Sequence, residues 1–143
     1  AALDIARKFG VVEDSILPFA SGKLYEGKPE TFYMLAARLK ISGYINIGNN
    51  LANWRNWLAT NGPILTRLDV DNTWNNASAN SANLDVYQRP ALPAGHAVAL
   101  VGYTPDRFIV RNSWGTNWGD KGFVYVSNAY AQAAFTEAYG VSV

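Results

Sequence analysis

The residues with the most chemistry to offer are a histidine and an asparagine at the edges of two apolar segments. His96 begins the first segment and Asn112 ends the second, and Pro105-Asp106 supplies turn chemistry between them. This pattern predicts a β-hairpin whose two arms end on the same side of the sheet. The two side chains can therefore meet if the register puts them on one face.

Such a meeting would have a chemical consequence. An asparagine amide oxygen that accepts from an imidazole N–H fixes the tautomer and the orientation of the ring. The other ring nitrogen is then free to act on a nucleophile. Each residue alone also has an ordinary structural interpretation, because single histidines often satisfy a local hydrogen bond and asparagines often form turns.

The spacing of several short motifs resembles the papain-like cysteine peptidases. The resemblance extends upstream to Ala1–Phe19 and covers nearly all of the chain except the segment 71–83 and the second helix. The motifs that carry it are His96-Ala97-Val98, Val101-Gly102-Tyr103, Asn112-Ser113-Trp114-Gly115, Trp118-Gly119 and Asn61-Gly62-Pro63-Ile64.

The resemblance implies roles for four of the matched residues. His96 would be the general base and the ion-pair partner of a thiolate, and Asn112 would orient it. The Trp114 ring would shield their hydrogen bond from water, which strengthens such a bond. Trp118 is expected to support the turn, and core packing is an open alternative for both tryptophans.

The resemblance also implies an α+β fold of the papain-like type. Residues 1–40 would be a remnant of the helical lobe. Residues 41–143 would form an antiparallel, β-barrel-like lobe that carries the histidine and asparagine half of the site.

The nucleophile of that family has no counterpart here, because the chain contains no cysteine. In the family it lies roughly 130–150 residues before the histidine. We therefore expect it on an absent N-terminal segment or a separate chain, which would be a partner, and we expect this chain alone to be inactive. The alternative is a catalytically dead, peptide-binding relative with serine, glycine or alanine in place of the nucleophile.

Two positions depart from the family pattern and are candidates for substrate binding. Arg67 stands where the family usually has a small or apolar residue lining a substrate pocket, which predicts a preference for acidic or polar side chains. The alternative is a solvent-exposed arginine, or one paired with Asp69 or Asp71. Gly95 stands where the family often has a polar residue, so it offers no side chain beside His96.

Composition excludes several other classes. The 143 residues carry a net charge of +1, which argues against a nucleic-acid partner. No apolar run is long enough to span a membrane. With one histidine and no cysteine, neither a metal centre nor a disulfide scaffold is expected. We expect no cofactor and a peptide or protein substrate, and localisation stays open between bacterial secretion and the cell interior. Five tryptophans also permit a carbohydrate-binding domain, on composition alone.

The elements that must position these residues follow from periodicity and turn residues. Residues 71–83 are predicted to be a polar, asparagine-rich loop. Helices are predicted over 1–9, 30–40 and 50–60. Strands are predicted over 43–47, 63–70, 97–103, 107–112, 122–127 and 139–143.

Overall fold

The computed structural model describes residues 1–143 and contains five α-helices and a seven-stranded sheet. The helices are α1 (Ala2–Lys8), α2 (Pro29–Ala36), α3 (Leu51–Thr60), α4 (Asn72–Asn75) and α5 (Asn128–Ala134). The strands are β1 (Gly43–Asn46), β2 (Ile64–Val70), β3 (Asn83–Leu84), β4 (Ala94–Tyr103), β5 (Arg107–Arg111), β6 (Phe123–Ser127) and β7 (Phe135–Ser142). No helix combines the length and the apolar character that crossing a membrane requires.

The chain divides into two compact units, one of residues 1–44 with 142–143 and one of residues 45–141. The first unit holds α1, α2 and a short 3-10 helix at Phe19–Ser21. Gly10 ends the α1 segment with a φ of +92°, and a Cβ there would lie 1.8 Å from the Ala36 carbonyl oxygen. Only glycine therefore lets α1 and α2 approach so closely. The assignment of residues 1–40 to a helical lobe stays a prediction.

The sheet has the strand order β1-β7-β2-β4-β5-β6-β3. The pairs β7–β2, β2–β4, β4–β5 and β5–β6 are antiparallel, whereas β3 pairs with β6 in parallel. The predicted α+β, papain-like class is confirmed, with the refinement that the sheet is mixed and does not close into a barrel.

The predicted helices and strands are all present, but the prediction for residues 71–83 is wrong in part. That segment contains α4 and leads into β3, and it buries Trp74 and Ala77 in the core. The asparagine-rich composition hides this because its polar side chains cap and turn the chain while the few apolar ones point inward. Helix α5 was not predicted; the Ser127 side chain caps it by accepting from the Tyr130 N–H at 3.0 Å.

In the core of the second unit, one face of the sheet packs with residues of helices α3, α4 and α5. Strand β2 alternates, burying Ile64, Thr66 and Leu68, so its intervening residues point to the other face. Trp54 of α3 is fully buried, and its indole N–H donates to the Gly48 carbonyl at 2.7 Å. This layer fixes β2, and β2 in turn fixes β4.

Candidate active site

The His96 and Asn112 side chains meet, with 2.8 Å between His96 Nε2 and Asn112 Oδ1. The Ser113 backbone N–H also donates to Asn112 Oδ1, at 2.8 Å. An amide oxygen only accepts, so Nε2 must carry the proton that it donates. His96 Nδ1 is then the unprotonated nitrogen of the neutral ring, and no hydrogen bond within the chain occupies it.

Two strands position this pair. Strand β2 holds the His96 backbone, since Leu68 lies opposite His96 in the β2–β4 ladder. Asn112 directly follows β5, and its backbone N–H donates to the Gly122 carbonyl at 2.9 Å. The β4–β5 ladder ends at Ala99 and Arg111. The two side chains therefore bridge the open end of the hairpin and are not a cross-strand pair.

Aromatic rings flank the imidazole. The Trp114 ring lies 5.0 Å from that of His96, tilted by 36°, and Trp114 is 46% exposed. The Trp74 ring meets His96 edge-on at 5.9 Å and is fully buried. The two rings remove water from around the imidazole, and a hydrogen bond in such surroundings is stronger than one in solvent.

Trp118 joins the loop that carries Trp114 to helix α4, which carries Trp74. Its indole N–H donates to the Trp74 carbonyl oxygen at 3.1 Å, and the two indole rings lie 4.9 Å apart. The Gly119 N–H adds a second link by donating to Ser78 Oγ at 2.9 Å. These contacts attach Trp118 to the Trp74 segment; its supporting role stays a prediction.

Trp74 is the member of the site that the sequence analysis missed, because it lies in the predicted polar loop. A signal was present: Asp71, two residues before Thr73, can cap a helix, and the structure shows the Asp71 carboxylate accepting from the Thr73 N–H at 3.1 Å. Because Trp54 and Trp74 are buried, two of the five tryptophan rings are also unavailable for stacking on a carbohydrate.

Arg67 lies on the other face of the sheet, opposite Ala97 in the ladder. Its guanidinium pairs with Asp69, with 3.1 Å between Nη2 and Oδ1, and donates from Nη1 to Thr136 Oγ1 at 2.7 Å. A Cβ at Gly95 would lie 2.4 Å from Arg67 Nη2. The pairing with Asp69 is thus present, and the guanidinium covers the backbone of Gly95.

The structure contains no group of three histidine, aspartate or glutamate side chains placed to hold a metal ion.

The chain is similar to known proteins of one family. The family model described as papain family cysteine protease matches residues 1–141, and the chain belongs to that family. Its sequence is 34% identical over 118 residues to cysteine proteinase B of Leishmania mexicana, covering 80% of this chain and 25% of that protein. It is 52% identical over 31 residues to papain of Carica papaya, covering 22% of this chain and 9% of papain.

The fold comparison agrees. Xylellain, a cysteine protease from Xylella fastidiosa, superposes with a TM-score of 0.75 at 22% identity, over 99% of this chain and 59% of that one. The chain spans about a quarter of the length of the Leishmania relatives it matches. It is a papain-like peptidase part that has no cysteine of its own.

Proposed function

We propose that this chain supplies the histidine and asparagine half of a papain-like cysteine endopeptidase. The observation that carries the proposal is the contact from His96 Nε2 to Asn112 Oδ1 at 2.8 Å, which leaves Nδ1 unoccupied. A cysteine from another segment or chain would complete the site. Alone, the chain should be inactive, because none of its side chains offers a thiol.

The proposed reaction uses His96 Nδ1 twice. Nδ1 first takes the proton of the incoming thiol, and the thiolate attacks the peptide carbonyl. The imidazolium then donates that proton to the leaving amine, and an acyl-thioester remains. Nδ1 next accepts a proton from water, whose oxygen attacks the thioester; the acid is released and the thiol regains its proton.

Asn112 keeps its hydrogen bond through every step. Nε2 carries a proton in both the neutral and the charged imidazole, so Oδ1 accepts in both states. An amide cannot take that proton, so Asn112 orients the ring without relaying charge. The partly exposed Trp114 ring limits the access of water to this bond.

The test is to express the longest reading frame that contains this chain and to assay cleavage of a fluorogenic peptide. His96→Ala should lower kcat at least about a thousandfold, and Asn112→Ala should lower it less. Asn56→Ala, at an exposed asparagine of α3, serves as the control. A frame with serine, glycine or alanine in place of the nucleophile would support the peptide-binding alternative, and activity surviving His96→Ala would refute the mechanism.

We also propose that Arg67 and Gly95 bind the substrate. The guanidinium has more N–H donors than its contacts with Asp69 and Thr136 use, and the Arg67 side chain is 41% exposed. A substrate carboxylate could accept the remaining donors, which favours acidic side chains. Gly95 directly precedes His96, and because it has no side chain it leaves room for the Arg67 guanidinium.

A peptide library on the complete enzyme tests this second proposal. Arg67→Ala should reduce a preference for acidic side chains by about tenfold, the factor expected for one charge-assisted hydrogen bond. Gly95→Ala should reduce it too, because the added Cβ displaces the guanidinium while keeping its charge. Arg38→Ala, at an exposed arginine of the first unit, is the control. An unchanged preference in Arg67→Ala would end the proposal.

A further inference from the structure

A buried carboxylate lies behind the aromatic rings of the site. Asp71 is 4% exposed, and no lysine or arginine pairs with it. Burying an unpaired charge is costly unless hydrogen bonds replace its water. The Asp71 carboxylate accepts from four donors: the Thr73 N–H, the Thr73 hydroxyl, the Tyr130 hydroxyl and the Gln88 N–H.

These donors come from three separate parts of the second unit. The Thr73 groups belong to the first turn of α4, so Asp71 caps the helix that carries Trp74. The Tyr130 hydroxyl comes from α5, at 2.9 Å from Oδ1. The Gln88 N–H comes from the segment between β3 and β4, at 2.7 Å from Oδ2. One carboxylate therefore fixes α4 against two other elements.

The consequence reaches His96 through Trp74. The Trp74 ring contacts the imidazole edge-on at 5.9 Å, and the Trp74 carbonyl accepts from Trp118. A shift of α4 would move the Trp74 ring directly and break the hydrogen bond that holds Trp118. Either change would admit water beside the bond between His96 and Asn112.

We propose that Asp71 is a positioning residue, which holds Trp74 against His96 and so keeps the imidazole in its Nε2–H tautomer. Asp71 contacts neither the imidazole nor Asn112, so it acts through α4. The structural part of this proposal does not depend on peptidase activity. Its effect on turnover rests on the proposed function above.

Nitrogen NMR of the imidazole tests the positioning directly. The chain has one histidine, so a ¹⁵N-histidine label reports on His96 alone. The full chain should show the Nε2–H tautomer with slow solvent exchange of that proton. Asp71→Asn, which replaces one acceptor oxygen by a donor, should speed that exchange at least about tenfold and mix the tautomers, since each lost bond changes local opening by about that factor.

Two further variants keep the test decisive if Asp71→Asn fails to fold. Tyr130→Phe and Thr73→Val each remove a hydroxyl donor, and Thr73→Ser restores one. Faster exchange in the first two, reversed in Thr73→Ser, is the expected result. The control is Tyr125→Phe, which removes a tyrosine hydroxyl that donates to the exposed Asp120 at 2.7 Å and should leave the imidazole unchanged.

The outcome that overturns the proposal is folded Tyr130→Phe and Thr73→Val chains with wild-type imidazole spectra. In the complete enzyme, the same variants should lower kcat with KM unchanged. An inactive complete enzyme with altered imidazole spectra in the variants would refute the peptidase proposal and leave the positioning role standing.

Discussion

The two units of the chain differ in how they treat their large apolar side chains. The unit of residues 45–141 buries Trp54, Leu68 and Phe108 completely, in one continuous cluster. The first unit buries only small residues: Ala6, Gly10 and Ala36. It exposes Ile5, Phe9, Phe19, Leu24, Tyr33 and Met34.

The comparison teaches where the stability of the site comes from. His96 and Asn112 both lie in the unit that owns a packed core, so their geometry rests on residues of that unit. The first unit rests on close backbone approach and local hydrogen bonds, because it buries little apolar surface. Substitutions of similar size should therefore have unequal effects in the two units.

The largest effect is expected for Trp54→Ala. Removing a fully buried indole and its hydrogen bond to Gly48 should lower the free energy of unfolding by about 3–5 kcal/mol. Phe9→Ala in the first unit, at a ring that is 48% exposed, should cost less than about 1 kcal/mol. Urea titrations followed by the NMR signals of each unit measure both. Similar losses for the two variants would erase the distinction.

A smaller effect is expected for Gly10→Ala. The added Cβ would meet the Ala36 carbonyl at a positive φ, so the cost should exceed the roughly 1–2 kcal/mol of a left-handed conformation alone. Amide exchange in α1 and α2 should accelerate while β2 and β4 keep their protection. Gly22→Ala is the control, because Gly22 has a φ of +62° and open space around it. Equal effects of the two variants would contradict the packing argument.

The same comparison shows what the sequence could predict. The β4–β5 hairpin and its turn were predicted because alternation and Pro105-Asp106 are local signals. The contact of His96 with Asn112 followed from that hairpin, and the family followed from motifs of adjacent residues. The class of fold came with the family.

Other features depended on long-range contacts that no local pattern encodes. The pairing of β3 with β6 joins distant residues in parallel, and it becomes visible only once the sheet is assembled. Trp74 was missed because the asparagines around it dominate the composition of its segment. Arg67 had two open interpretations, since the sequence alone does not say whether its guanidinium faces Asp69.

The smallest effect concerns two tyrosine–aspartate pairs, one in each unit. Burial raises the pKa of Tyr130, the carboxylate of Asp71 raises it further, and the hydrogen bond with Thr73 opposes them. In the first unit, the pKa of Tyr44 is also raised, by its hydrogen bond to Asp4, but this pair is exposed to solvent. The tyrosine pKa is raised in both pairs, but Tyr130 is buried whereas Tyr44 is exposed.

The raised pKa of Tyr130 gives stability that is present below about pH 10 and is lost as the pH rises further, because the unfolded tyrosine then releases its proton and the folded one does not. For Tyr130 the loss should approach about 1.4 kcal/mol per pH unit above pH 10. Unfolding titrations from pH 9 to 11 should show a shallower decline for Tyr130→Phe than for the wild type. Tyr44→Phe should follow the wild type, because solvent screens an exposed pair. A decline that Tyr130→Phe does not reduce would mean that burial and the Asp71 carboxylate do not raise the pKa of Tyr130 in the folded chain.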